Sequence, residues 1–362
     1  MKPNFDIDLV VIDGVASTVC ERVVSDKPFC SLVEFSTAQS TGFPALLLVA
    51  PLSGHYAVLL TDMIIGLLPR FRVYVTDWTN ASEVPVSAGP FGLERNIDYV
   101  LDFIGVAGEG AHVVALCQGG VPALAAAAML AAQQRESDIG SLTLIGGPID
   151  PMVNPTRVVN LLRERDIPWF EDNVLRRVSS SFPGYGRSVY PGYLQLASLM
   201  AYLNRHLMQQ GELSYKIYSD DGLDPVGHSF FTLFTSVMDL PGEFFLDNIA
   251  AVFHGRDICC RSLSWHGETV DPGRITTIPL MTIEGEDDDI AAPGQTSAAH
   301  GLCPLIPESA RRRLLVAKCG HFSLFHGSKW RSEILPELIR FLESHGPGSD
   351  TDKGNNRRTD FS

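Results

Sequence analysis

Short apolar runs alternate with amphipathic stretches in two parts of the chain. Runs typical of strands buried on both faces occupy 45–50, 72–78, 111–116 and 141–145, and two more lie at 278–283 and 313–317. Between two of these runs, apolar residues recur at helical spacing over 93–104. Strands that alternate with helices predict an α/β fold with a mostly parallel central sheet.

The alternation stops after the strand at 141–145 and resumes only near residue 276. The intervening segment is rich in aromatic residues and too long for a plain loop, so we predict a largely helical cap or lid insertion over 151–275. The core then consists of a first part over 1–150 and a second part over 276–345. The weakly patterned first forty residues predict an N-terminal strand and a connection. The polar, glycine-rich end, 346–362, predicts a disordered tail.

A sharp corner joins the apolar run at 111–116 to an alanine-rich stretch. Cys117 stands at this corner, with the small residues Ala115 and Gly119 two positions away on either side. This pattern of strand, turn and helix is typical of the nucleophile elbow of α/β-hydrolases, where a serine usually occupies the apex. The helix dipole would favour a thiolate at Cys117. A buried structural cysteine remains the alternative from this local pattern alone.

The residues after later strands supply partners for Cys117 in the chain order that α/β-hydrolases use. An acidic cluster, Glu286 to Asp289, follows the strand at 278–283, and His321 follows the last strand. Within the cluster we favour Asp288, the third residue past the glycine that ends the strand. Asp150, after the strand at 141–145, is the alternative acid. The sequence thus predicts a Cys117–His321–Asp288 triad, in which the acid orients the histidine and the histidine moves the proton.

Two backbone amides are expected to bind the oxyanion that forms during ester cleavage. The first belongs to Gln118, next to the nucleophile, and the second to Leu52, with Ser53 as the next choice, in the turn after the strand at 45–50. His55 in the same turn is a second candidate for the site, although a structural histidine is the simpler interpretation. For substrate binding we single out Ser53 and four cap aromatics: Trp169, Phe170, Tyr190 and Tyr193.

Composition narrows the partners and the compartment. The 362 residues carry a formal net charge of −14, which argues against nucleic acid because phosphate binding needs a positive field. The seven cysteines are odd in number and have no metal-ligand spacing, so we expect a reducing compartment and no metal site built on them. The N-terminus lacks the pattern of a signal peptide and no apolar run is long enough to span a membrane. These features predict a cytoplasmic protein that does not bind membranes.

Several longer segments of the chain resemble the intracellular poly(3-hydroxybutyrate) (polyhydroxyalkanoate) depolymerases, which are α/β-hydrolases with a cysteine nucleophile. The resemblance extends over roughly 5–345 and rests on these segments: 51–56, 73–78, 84–89, 146–150 with Asn154 and Pro155, 190–192, 237–240, 284–290 with 293–296, and Gly320 with His321. It implies the same triad, Cys117, Asp288 and His321, and no cofactor. It also implies association with the surface of polyester granules and hydrolysis of amorphous poly(3-hydroxybutyrate), with water or coenzyme A as acyl acceptor.

The elbow itself departs from that family. The family commonly has Cys-Gln-Pro there, whereas this chain has Cys117-Gln118-Gly119-Gly120, the box of the related polyhydroxyalkanoate synthases. A synthase-like acyltransferase with the same triad is therefore one alternative. A non-catalytic granule-associated protein is another. The oligomeric state, the preferred monomer length and the balance of hydrolysis and thiolysis do not follow from the sequence.

Overall fold

The central sheet has nine strands and mixes two kinds of pairing. The computed structural model describes residues 2–209 and 230–346. The sheet strands are β1 (Leu9–Ile12), β2 (Val15–Lys27), β3 (Cys30–Thr37), β4 (Ala45–Val49), β5 (Arg72–Trp78), β6 (Ala111–Leu116), β7 (Ile139–Ile145), β13 (Leu280–Gly285) and β14 (Arg311–Val316), while β8 to β12 are the short strands of the insertion. Their spatial order is β1-β2-β3-β5-β4-β6-β7-β13-β14.

Five neighbouring pairs in this sheet are parallel, and they form the half that holds the site. β4 pairs with β5 and β6, β7 pairs with β6 and β13, and β13 pairs with β14. Every residue of β4, β6 and β13 is buried, as expected for strands covered on both faces by helices. The carboxyl ends of parallel strands lie at one edge, so the turns after them meet there. The predicted α/β class with a mostly parallel sheet is confirmed.

Helices cover this sheet and connect its parallel strands. In the core the α-helices are Thr61–Leu67, Leu93–Ala107, Gly120–Ala132, Ala299–Leu302 and Leu335–Ser344, the last preceded by a π-helical turn, Trp330–Ile334. Gly120–Ala132, here called the elbow helix, is buried from Gly120 to Leu130. Because it is buried, the helix is apolar on all sides, and its small alanine side chains allow close packing against the sheet.

The N-terminal part differs from the expected single strand and connection. It forms β1, β2 and β3, which pair antiparallel with one another and with β5. The turn between β1 and β2 consists of Asp13 and Gly14, at φ 49° and 82°. Positive φ at both central residues is the requirement of a tight hairpin turn that matches strand twist. The Asp-Gly pair between two apolar runs was the signal for this hairpin.

Between β7 and β13 the chain leaves the central sheet and forms a long insertion of helices and short strands. Its helices are Arg157–Arg163, Ile167–Asn173, Gly192–Gln209, Phe230–Thr235, Gly242–Asp247 and Asp257–Cys260, with a π-helical segment at Asn248–His254. Its short strands are β8 (Arg176–Arg177), β9 (Ser188–Tyr190), β10 (Leu240–Pro241), β11 (Ser264–Trp265) and β12 (Glu268–Thr269). The predicted disordered tail, apart from Gly346, lies outside the described residues. Within the ranges described, no helix is both long and apolar enough to cross a bilayer.

A buried arginine ties the insertion to the core. The guanidinium of Arg187 donates hydrogen bonds to the carbonyl oxygens of Val84, Pro85 and Gly89, at 2.9, 2.6 and 3.0 Å. The side chain also lies over the ring of Phe29, 4.8 Å from its centroid. Because a buried cation is costly unless its donors are satisfied, these three carbonyls fix the position of this part of the insertion.

Candidate active site

Cys117 occupies a strained corner between β6 and the elbow helix. Its φ is 46°, a value that non-glycine residues rarely adopt, and a short 3-10 turn, Cys117–Gly119, leads directly into the helix. A Cβ on Gly119 would lie 2.8 Å from the carbonyl oxygen of Val49, and one on Gly147 would lie 2.9 Å from that of Cys117. The corner therefore needs glycine at both positions, which is the close approach that a nucleophile elbow requires.

His321 lies between Asp288 and Cys117. It begins the short 3-10 helix His321–Leu324 that follows β14, and its Nδ1 atom is 2.7 Å from Oδ2 of Asp288. The side chain of Cys117 forms a hydrogen bond with the same imidazole. The Asp288 side chain is fully buried, and its Oδ1 atom accepts hydrogen bonds from the backbone N–H groups of Ile290 and Ala291, at 2.9 and 2.8 Å. The structure thus brings the three predicted triad residues together.

The charges around His321 favour the imidazolium. Burial alone lowers the pKa of this histidine, but the carboxylate of Asp288 and the sulfur of Cys117 raise it by more. The net result is a pKa well above the ordinary value of 6.5. A proton accepted by His321 is therefore stabilised on the ring, which is the property that a general base next to a nucleophile needs.

The other acids near the site have different partners. Asp150, the alternative acid, forms a bidentate ion pair with Arg256. Nε of Arg256 lies 2.9 Å from Oδ1, and a second guanidinium nitrogen donates to Oδ2. Asp287 is exposed. Asp289 accepts hydrogen bonds from Tyr202 and Arg205 of the insertion. Of these four carboxylates, Asp288 is the one bonded to His321.

A largely apolar cavity of about 270 Å³ opens above Cys117 and His321. Its walls come from the core and from the insertion: Pro51, Ser53, His55, Leu59, Cys117, Gln118, Val158, Tyr190, Gln195, Ser198, Leu199, Tyr202, Ile290, His321, Phe322 and Phe325. The cavity can hold a short acyl group next to the sulfur.

The turn after β4 lies beside the elbow, where the second oxyanion donor was expected. Ser53 lines the cavity, whereas the side chain of Leu52 is buried in the core. Gly54 has φ 110°, and its carbonyl oxygen accepts a 2.8 Å hydrogen bond from the backbone N–H of Met238. A Cβ on Gly54 would lie only 1.7 Å from Oε1 of Gln195. The insertion therefore packs directly on this turn and leaves no room for a side chain at position 54. The roles of the Leu52 and Gln118 amides stay predictions.

His55 lines the cavity but is a neutral, hydrogen-bonded histidine. Its Nε2 atom lies 3.0 Å from the carbonyl oxygen of Phe234 in the insertion. Burial, helped by the charge of His321, lowers its pKa to about 4. At neutral pH its ring is uncharged, so it contributes surface and a contact to the insertion. This agrees with the simpler interpretation of a structural histidine.

The four aromatics predicted to bind substrate fall into three groups. Tyr190 lines the cavity, and its ring centroid lies 4.4 Å from that of Phe245. Phe170 is buried against Phe245 in the core of the insertion, so its assignment to substrate binding is wrong: the packed side chain has no free face. Trp169 and Tyr193 are exposed, and neither is among the described residues that line the cavity.

Sequence reasoning missed the cavity wall that the long cap helix supplies. The long cap helix, Gly192–Gln209, presents Gln195, Ser198, Leu199 and Tyr202 to it. Their spacing, i, i+3, i+4 and i+7, places them on one helix face. That spacing was visible in the sequence, but nothing in it indicated that this face meets the elbow. Among the described residues, no group of three His, Cys, Asp or Glu side chains is arranged to hold a metal ion.

Three features define an α/β-hydrolase: the mostly parallel sheet, the elbow at Cys117, and an acid and a histidine that lie at the same edge of the sheet. The family model described as PHB de-polymerase C-terminus matches residues 146–346, more than half of the chain, and the chain belongs to this family. The matched residues include the insertion, Asp288 and His321, whereas Cys117 precedes them. No match to the chain was found among curated protein sequences.

Solved structures with low sequence identity share the fold. A 2-hydroxy-6-oxo-6-phenylhexa-2,4-dienoate hydrolase from Rhodococcus sp. strain RHA1 is 15% identical, with a TM-score of 0.54 over 90% of this chain and 99% of that one. A hydrolase from Pseudomonas aeruginosa PA01 is 18% identical, with 0.51 over 90% and 98%. A thermophilic esterase from Thermogutta terrifontis is 15% identical, with 0.51 over 91% and 100%. At these identities the similarity shows the fold alone.

Proposed function

We propose that this protein is a depolymerase that hydrolyses ester bonds of a short-chain polyhydroxyalkanoate, poly(3-hydroxybutyrate) in its amorphous granule form. The observation that carries the proposal is the position of His321, bonded to Asp288 on one side and to Cys117 on the other, at the base of an apolar cavity. Membership of the PHB de-polymerase C-terminus family supports the choice of substrate class.

In the first half of the reaction, His321 takes the thiol proton and the Cys117 sulfur attacks the ester carbonyl carbon. A carbon–sulfur bond forms, and the carbonyl electron pair moves to the oxygen, which the amides of Gln118 and Leu52 stabilise, with Ser53 as the alternative to Leu52. When the carbonyl reforms, the carbon–oxygen bond breaks and His321 gives its proton to the leaving hydroxyl. The acyl group is then a thioester on Cys117.

In the second half, water enters and His321 removes its proton as the oxygen attacks the thioester. The carbon–sulfur bond breaks, the acid leaves, and the proton returns to the sulfur through His321. Asp288 keeps Nδ1 of the imidazole protonated throughout, because its buried carboxylate can only accept that hydrogen bond. A thiol such as coenzyme A can replace water, in which case the product is a thioester.

The cavity and the surface around the insertion suit a neutral polyester. The apolar cavity takes a short acyl unit, and Tyr190 and Ser53 are among the residues that line it. The exposed rings of Trp169 and Tyr193 offer apolar contacts to a surface that cannot enter the cavity. We propose that these rings meet the granule in the cytoplasm while a single polymer chain reaches Cys117.

A comparison of two substrates tests the proposal. Wild-type protein and Cys117→Ala are incubated separately with amorphous poly(3-hydroxybutyrate) and with 3-hydroxybutyryl-coenzyme A, and released acid, free coenzyme A and new polymer are measured. We expect acid release from the polymer by the wild type and none by the variant. Formation of polymer from the thioester would show a synthase-like acyltransferase. Binding to granules without turnover of either substrate would show a non-catalytic granule protein.

A further inference from the structure

The long cap helix forms one wall of the catalytic cavity. Its residues Gln195, Ser198, Leu199 and Tyr202 share one face and line the cavity together with Cys117 and His321. A small rotation or shift of this helix would move all four side chains together. The position of the helix therefore sets the width of the space available to an acyl group.

Two residues of this helix bind the carboxylate of Asp289. The hydroxyl of Tyr202 donates a hydrogen bond to Oδ1 at 2.6 Å, and the guanidinium of Arg205 donates one to Oδ2 at 3.0 Å. The Arg205 guanidinium also lies over the ring of Tyr202, 5.1 Å from its centroid. Burial, and then the charge of Asp289, raise the pKa of Tyr202, so its hydroxyl keeps the proton that it donates.

Asp289 is the chain neighbour of the triad acid. Asp288 turns towards His321 and is fixed by the N–H groups of Ile290 and Ala291, whereas Asp289 points to the cap helix. The turn after β13 thus orients His321 through Asp288 and contacts the cap helix through Asp289. The end of the cap helix that carries Tyr202 and Arg205 is thus connected to the residue next to the triad acid, whereas Gln195, near its start, donates to the carbonyl oxygens of Tyr190 and Met238, at 3.1 and 2.9 Å.

We propose that Asp289 is a positioning residue that holds the cap helix through Tyr202 and Arg205, and so determines which acyl lengths reach Cys117. Asp289 contacts no reacting atom. Its effect is exerted through Tyr202, which lines the cavity, and through Arg205. The inference rests on the proposed ester hydrolysis at Cys117 and adds to it a determinant of substrate length.

Asp289→Asn tests the link, and Asp287→Asn is its matched control. Both variants remove one negative charge from the same turn, but Asp287 is exposed and outside the link. We would measure kcat and KM with 4-nitrophenyl acetate, butyrate, hexanoate and octanoate. In Asp289→Asn we expect KM for butyrate to rise about fivefold and the preference for butyrate over octanoate to fall by a similar factor, as for a weakened charge-assisted hydrogen bond. Asp287→Asn should stay within about twofold of the wild type.

Tyr202→Phe provides a second route that leaves the ring in the cavity wall and removes only the hydroxyl. It should change the length preference in the same direction, and the double variant with Asp289→Asn should add little, because both act on one contact. An equal fall in kcat for all four esters, with KM and length preference unchanged, would overturn the proposal. Inactivity of the wild type on every ester would instead refute the proposed function. If Tyr202→Phe is active and its acyl-length preference is unchanged, the positioning role of Asp289 is refuted, and the proposed ester hydrolysis is not.

Discussion

Nδ1 of His321 lies 2.7 Å from Oδ2 of Asp288, and both side chains are almost completely buried. Because the second oxygen of Asp288 is already bound by two backbone amides, the carboxylate has one orientation available. It can only accept from the imidazole, so the ring must carry a proton on Nδ1 and direct Nε2 towards the cavity. The tautomer of His321 is therefore determined by the turn that follows β13.

Replacing Cys117 with alanine should abolish ester cleavage and leave the fold intact. The change removes the nucleophile, and loss of one member of a catalytic triad lowers kcat by at least about 10³-fold. Turnover of 4-nitrophenyl butyrate and the far-ultraviolet circular dichroism spectrum provide the measurements. Cys260→Ala, which removes an exposed free cysteine, is the control and should have wild-type activity. Near-normal turnover in Cys117→Ala would exclude the elbow from the mechanism.

Asp288→Asn should be far more damaging to activity than the same change at Asp150. An asparagine oxygen can still accept from the Ile290 and Ala291 amides, but the NH₂ group would face Nδ1 and favour the wrong tautomer. We expect kcat to fall about 10³-fold or more. Asp150→Asn weakens the pair with Arg256 and should lower the free energy of unfolding by about 1 kcal/mol, with activity within tenfold. The opposite ranking in kcat would assign the acid to Asp150.

The raised pKa of His321 predicts a pH-dependent contribution to stability. A group whose folded-state pKa exceeds its unfolded value of 6.5 stabilises the fold fully below that value. The contribution is lost as the pH rises through the folded-state pKa. The difference in free energy of unfolding between wild type and Asp288→Asn should therefore be larger at pH 6 than at pH 9, by urea unfolding. A difference that grows with pH would contradict the assignment of the charge.

The glycine of the turn after β4 can be tested with a matched pair. Gly54→Ala introduces a Cβ at φ 110° and 1.7 Å from Oε1 of Gln195, so the end of the Gln195 side chain must leave its place in the cavity wall. Gly42→Ala meets a similar backbone strain at φ 91°, and among the described residues no atom lies within 4 Å of its Cβ. We expect kcat/KM to fall at least about tenfold in Gly54→Ala only, since misplaced site residues are that costly. Equal losses in both variants would show that backbone strain alone matters.

Exposed and buried aromatics of the insertion should have separable effects. Trp169→Ala and Tyr193→Ala should slow release of acid from amorphous granules several-fold and spare 4-nitrophenyl butyrate, since a soluble ester needs only the cavity. Phe170→Ala should instead lower the free energy of unfolding by about 3 kcal/mol or more, as expected for a buried phenylalanine. Parallel loss of both activities in Trp169→Ala and Tyr193→Ala would place granule contact elsewhere.

The parallel half of the sheet, and the proximity of Cys117, Asp288 and His321, could be predicted because their signals are local. A run such as 111–116 is apolar because both faces are covered, and the chain order of Cys117, Asp288 and His321 follows from the order of the strands. β2 gave no such signal, since most of its residues are exposed and follow no clear alternation. Only its turn, Asp13-Gly14, carried information, and a two-residue signal is easily overlooked.

The burial and the partners of side chains around the insertion could not be predicted, because residues of the same type have different surroundings there. Phe170 and Tyr193 are both cap aromatics, yet one is packed in the interior and the other is exposed. Adjacent carboxylates diverge in the same way: Asp288 binds His321 and Asp289 binds Tyr202. Contacts between residues far apart in the chain decide these outcomes, since 33 positions separate Asp288 from His321 and 87 separate Tyr202 from Asp289. Composition or spacing does not encode such contacts.

The pairing of β7 with β13 has a consequence for how the protein folds. The 134 residues from Gly146 to Pro279 separate these neighbouring strands, and β13 and β14 complete the sheet only after all of them have been made. At about 5–20 residues per second, translation leaves one edge of β7 unpaired for roughly 7–27 s. During that interval the nascent chain presents an open strand that can pair with another chain. Synthesis conditions that delay the last quarter of the chain should therefore increase aggregation without any change in the stability of the finished fold.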